Sequence, residues 1–198
     1  MPGHKVSVSS RRKILTYAYL YEGARFSIEQ AEASEEGSFY NCMSAIILCA
    51  FCIEAYLNHI GSELLPYWDA VERCLRPRDK LEIFDHNLDL RMDLSRRPFQ
   101  SFTTIFKFRN AVAHGRTEVL LDQSIQKVSK GKRVKHPETK WEKLCTVETV
   151  KKLLADAETI IAEIHKKAGQ GEYPLASLGS ATAWISPVRN LEPPDDPP

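Results

Sequence analysis

The chain has 198 residues, of which 43% are apolar and 27% charged, with a formal net charge of +1. That length and apolar share suit one core of ordinary size, as one domain or a domain with appendages. A near-neutral balance excludes strong nonspecific attraction to nucleic acid, so any RNA-directed activity needs a local basic patch, such as one assembled from two subunits. Five cysteines follow no secreted disulfide pattern. The N-terminus has no apolar core after Lys5, Arg11 and Arg12, which predicts no signal peptide. The apolar run from Met43 to Ile53 is too short to span a bilayer and Glu54 interrupts it. The expectation is a cytoplasmic protein with no membrane partner.

Residues 1–9 read as a flexible leader. From about Ser10 to Ala33, apolar residues recur at helical spacing through Ile14, Leu15, Ala18, Tyr19 and Phe26. The polar run Glu32 to Ser38, with Gly37, predicts a turn or a weakened helix. The next segment, about Phe39 to Leu65, is the strongest helix. It is almost wholly apolar from Ala45 to Ile53, which places it centrally in a bundle, and Pro66 stops it. Cys42, Cys49 and Cys52 lie here and read as small buried hydrophobes.

Trp68 to Leu75 reads as a short helix, and Pro77 opens another over Arg78 to Asp85. Residues 86–97 read as a charged loop. Pro98 opens a helix from Phe99 to His114, with Phe102, Ile105, Phe106, Phe108 and Val112 toward the central helix. Gly115 reads as its left-handed C-cap. Glu118 to Leu121 fits a strand or a helix continuation, and Lys127 to Lys140 a basic loop or hairpin. Thr146 is placed to cap a last helix, whose apolar face runs from Val147 through Leu153, Leu154 and Ile160 to Ile164. Residues 169–198 turn rich in glycine and then proline, and read as an extended or disordered tail, although Leu175, Leu178, Trp184 and Ile185 can dock. The fold class is all-α, a bundle of four to five main helices over residues 10–168 with an irregular C-terminal tail.

The chemistry concentrates in Phe106-Lys107-Phe108-Arg109-Asn110-Ala111-Val112-Ala113-His114-Gly115. On a helix Asn110 and His114 are four apart and share a face. Arg109 lies about 140° around the axis from His114, but its length lets it curve toward the same pocket. Histidine titrates in the range needed to move the protons of RNA cleavage. A guanidinium forks onto phosphate oxygens and stays charged. An amide between them orients the ring or contacts the phosphate. On spacing alone the same residues fit a surface ion pair for Arg109 and a helix cap for His114.

The wider context narrows the choice. Ser44 to Asn58, a small and apolar run leading to Glu54 and then Asn58, resembles the central helix of HEPN domains. Arg109-Asn110-Ala111-Val112-Ala113-His114 resembles the signature of that family, and Asp79-Lys80-Leu81 has the look of its connecting segment. The resemblance covers about residues 10–165. It implies an α-helical bundle that forms a homodimer, with signature helices facing across a cleft. It further implies metal-independent cutting of single-stranded RNA to a 2′,3′-cyclic phosphate, with no cofactor, often in a toxin or defence effector that an antitoxin or other protein partners. Arg109, Asn110 and His114 then take the catalytic positions. The alternative is a noncatalytic HEPN module that binds RNA, a nucleotide or a partner protein. A purely structural helical dimer, with the proline-rich tail as a partner handle, is a third reading.

Glu54 and Asn58 share a face of the central helix. They fit a support that fixes Arg109, and equally a polar tether between helices. Arg96, Arg97, Lys107 and Arg116 are the candidate RNA contacts, with the run Lys127, Lys130, Lys132, Arg133 and Lys135 as further cationic chain. Cys49, Cys52 and His59 imitate a zinc set, but one rigid helix with no fourth ligand reads as core instead.

Overall fold

The computed structural model describes residues 6–123 and 136–187. Its elements are β1 (Val6–Ile14), α1 (Thr16–Ala33), α2 (Ser38–Leu64), α3 (Trp68–Val71), α4 (Pro77–Leu88), α5 (Phe99–Ala113), α6 (Val147–Lys167) and β2 (Gly179–Pro187), with a short 3-10 turn at Glu142–Leu144. The chain is mostly helical, with a two-stranded antiparallel sheet added to the bundle.

α2 is the hub, packed against α1, α5 and α6. Cys42, Ala45, Ile46, Cys49, Cys52, Ile53, Tyr56, Leu57 and Ile60 repeat at three- and four-residue steps and are all buried. Small residues at 42, 45, 49 and 52 let neighbouring helices approach. Gly37 sits at φ 78°, the left-handed conformation that turns α1 into α2. By length and composition α2 is the one helix among the described residues able to cross a membrane, and half of its apolar window is buried inside the bundle. The apolar run alone is short, but the helix that carries it reaches a spanning length.

α6 starts where Thr146 accepts a bond from the Thr149 backbone N–H at 3.3 Å. Its face from Val150 to Ile164 closes the core. A bidentate ion pair ties it to the loop before α5. Arg97 Nε and Nη2 each lie 2.7 Å from a carboxylate oxygen of buried Asp156, and the Ser101 hydroxyl also donates to Asp156.

Several boundaries differ from the sequence reading. Residues 6–14 form a strand, where a leader to residue 9 and a helix from Ser10 were expected, and helix begins only at Thr16. Val6-Ser7-Val8-Ser9 alternates with period two, and the partner strand lies at the far end of the chain. That partner, Gly179–Pro187, makes part of the expected tail regular structure. The residues from Glu118 to Leu121 take no regular structure. Gly115 is not left-handed: α5 ends at His114 with φ −113°. A Cβ at Gly115 lies 3.1 Å from the Ala111 carbonyl oxygen, so closeness to the helix end, not handedness, favours glycine. The leader at residues 1–5, the cationic run Lys127 to Lys135 and the prolines beyond residue 187 lie outside the described residues.

Candidate functional site

The end of α5 meets the middle of α2 through a chain of polar side chains inside an otherwise apolar contact. Phe102, Ile105, Phe106 and Phe108 bury one side of α5, with the Phe102 and Phe106 rings 4.5 Å apart. Arg109 leaves the flank of that face and is 23% exposed. Its Nη2 lies 3.3 Å from Glu54 Oε2, and its guanidinium carbon sits 5.4 Å from the centre of the Phe106 ring. The Arg109 Nε is buried and has no hydrogen-bond partner among the described residues. The guanidinium is therefore held by one carboxylate contact and a ring face, with a donor to spare.

Glu54 has a second cation. Lys80 Nζ lies 3.6 Å from Glu54 Oε1 and donates to Asn58 Oδ1 at 2.7 Å. Lys80 is only 3% exposed, so it needs these partners to remain inside. It arrives there because α4 buries Lys80, Leu81 and Phe84 on one face, with Phe84 against Trp68 at 5.4 Å. Asp79 fixes the start of α4, accepting from the Arg76 backbone N–H at 3.1 Å and from the Arg76 guanidinium at 2.8 Å. Those bonds hold the Asp79 carboxyl below its usual range. The resemblance of Asp79-Lys80-Leu81 to a connecting segment gives Lys80 no place in the site, and the structure puts it there. The signal was available in its spacing, since Lys80 falls on the same helical face as Leu81 and Phe84.

Two cations and one carboxylate leave one positive charge in excess beside the last turn of α5. Asn110 and His114 are on that turn and face solvent. The His114 backbone N–H bonds to the Asn110 carbonyl at 3.0 Å, which sets both on the same end of the helix. The structure thus joins Arg109 to Glu54 and joins Asn58 through Lys80, while Asn110 and His114 stand outside this network. A cleft of about 710 Å³ lies along another side of α5, lined by Lys107, Phe108, Ala111, Leu120, Trp141 and Lys143 among others.

The candidate RNA contacts separate. Lys107 is exposed and borders that cleft, and Arg116 is exposed just beyond α5. Arg96 pairs with Asp93 at 3.4 Å on the surface. Arg97 is committed to Asp156, so its charge is balanced within the fold and it leaves the set of free cations. Among the described residues no three His, Cys, Asp or Glu side chains converge as a metal site. Cys49 and Cys52 are buried, and burial pushes the Cys52 thiol up to about 12. No family model, no curated protein and no solved structure matches the chain.

Proposed function

We propose that this protein is a metal-independent endoribonuclease of HEPN type that acts as a cytoplasmic homodimer, in a toxin or defence role. The observation that carries the reading is the pairing of Arg109 with Glu54 beside an exposed His114. In the reaction the RNA 2′-oxygen attacks phosphorus and the bond to the 5′-oxygen breaks. The 2′ proton passes to a base, the leaving oxygen receives one from an acid, and a 2′,3′-cyclic phosphate and a 5′-hydroxyl result. His114 supplies the proton transfer. Arg109 balances the charge that gathers on the phosphorane, while Glu54 and Lys80 hold its pose. Asn110 orients the ring or the phosphate. A second subunit contributes its own histidine, so that one acts as base and the other as acid. Val119 and Leu121, 82% and 92% exposed just after α5, support a pairing surface next to the signature helix.

Labelled single-stranded RNA is incubated with the protein in excess EDTA, beside His114→Ala and Arg109→Ala. The reading expects cleavage with cyclic phosphate ends, reduced by about 10²–10⁴-fold in the histidine variant and abolished or nearly so in the arginine variant. A noncatalytic RNA-, nucleotide- or protein-binding module is the second reading, favoured by Asn110 and His114 standing outside the Arg109–Glu54–Lys80–Asn58 network. Folded dimers of all three proteins that bind RNA without cutting it decide for that module. Equal cutting by all three rejects the assigned residues.

A further inference from the structure

The β1–β2 ribbon concentrates positive charge among the described residues. Its strands carry Arg11, Arg12 and Lys13 and no carboxylate, while the whole chain is nearly balanced at 27 basic and 26 acidic residues. The register divides the ribbon into two faces. Ser7, Ser9, Arg11 and Lys13 pair with Ser186, Trp184, Thr182 and Ser180 and share one face. Val6, Val8, Arg12 and Ile14 share the other with Ile185, Ala183 and Ala181.

The first face combines hydroxyls, two cations and an indole. Trp184 is 59% exposed, stands beside Ser9, and is a diagonal neighbour of Arg11. Lys13 has only a loose, exposed pairing with Glu63 at 3.8 Å, which contributes little. Arg12 turns to the other side, where its Nη2 donates to the Tyr19 hydroxyl at 2.6 Å. The root of the ribbon is tight. Leu15 N–H bonds to the Leu178 carbonyl at 3.1 Å, and a Cβ on Gly179 (φ 129°) falls 2.0 Å from the Lys13 carbonyl oxygen. Above that root both faces are exposed, although a two-stranded sheet alone is marginal in water.

We infer that this face binds single-stranded nucleic acid. Bases stack on Trp184, Arg11 and Lys13 take successive phosphates, and the serine and threonine hydroxyls add sequence-tolerant hydrogen bonds. Charge complementarity selects this occupant: the strands give the face two cations and no carboxylate of their own, and the neighbouring Glu63 reaches Lys13 only at 3.8 Å. The ribbon deepens the ribonuclease reading by holding substrate, and that use rests on it, but binding itself does not.

The test separates the two. Anisotropy of a labelled single-stranded DNA is measured with the full chain, because a strand without 2′-hydroxyls resists cleavage by this route. Trp184→Ala weakens binding roughly 5- to 100-fold, and Trp184→Phe restores most of it. An Arg11→Gln, Lys13→Gln double variant lowers the slope of log affinity against log salt by about 1.4. No binding by the parent overturns the proposal, as does unchanged affinity in Trp184→Ala. Unchanged affinity with a dimer converted to monomer reassigns the ribbon to subunit pairing. If Trp184→Ala loses binding while the parent leaves RNA uncut, or cuts it no better than His114→Ala and Arg109→Ala, the ribbon stands and the nuclease falls. Cleavage that depends on His114 but not on Trp184, with unchanged binding, gives the reverse.

Discussion

Glu54 holds two cations from two different helices, one on each oxygen, and so controls both the fold and the pose of Arg109. Glu54→Gln keeps the shape and removes the charge. Lys80 is then left inside with neutral acceptors only, an arrangement that costs stability because a buried ammonium has lost its counter-charge. Glu54 is 29% exposed, and water screens part of the loss. The expected cost is roughly 1–3 kcal/mol by urea unfolding, with a parallel drop in any RNA cleavage as Arg109 loses its anchor. An unchanged urea midpoint shows that the carboxylate charge is not what keeps Lys80 inside. The pairing of Glu54 with Arg109 is one of the two readings that the sequence leaves open for Glu54, and the fold selects it across 55 residues. The inward side of Lys80 is legible in its spacing with Leu81 and Phe84, but its partners Glu54 and Asn58 are not, because a lysine is normally placed on the solvent side and the packing of α4 decides what it meets.

Between elements, α2 and α3 meet at a point with no spare room. A Cβ on Gly61 lies 2.1 Å from the Trp68 ring, and Trp68 is fully buried against Phe84. Gly61→Ala therefore forces the indole, and with it the contact to α4, out of place. Overpacking of this kind costs about 1–3 kcal/mol, which lowers Tm by several degrees in a chain of this size. A thermal scan that matches the parent contradicts that packing. The length and apolar character of α2 and α6 were legible because 3.6-residue periodicity and a threonine cap act within one or two turns. The tie from Arg97 to Asp156 was not, since 59 residues separate partners that only the folded bundle brings together.

Across the whole molecule, burial sets the response to acid. His165 and His59 both fall below the usual imidazole range, first because burial disfavours the charged ring. His165 Nδ1 lies 3.1 Å from the buried Tyr56 hydroxyl and accepts from it in the neutral tautomer that carries its proton on Nε2. A histidine with a lowered folded pKa stabilises fully above its unfolded value of about 6.5 and loses that contribution as pH falls through the folded one. Urea midpoints are expected to decline from pH 7 to pH 5, before the lowered carboxyls of Asp79, Asp89 and Asp93 enter their own window at more acid pH. His165→Gln keeps an acceptor for Tyr56 and flattens part of that decline. A pH-independent midpoint over this range rejects the contribution of both rings.

The amino-acid order by itself determined the helices, the turn at Gly37, the cap at Thr146 and the arginine–amide–histidine turn, all of which depend on neighbours along the chain. Tertiary structure alone decided three other things. It paired residues 6–14 with 179–187, carried Lys80 inward to Asn58, and spent the charge of Arg97 on Asp156. Each joins segments far apart in sequence, where local periodicity carries no record of the partner, and where burial, not propensity, fixes which charges must meet.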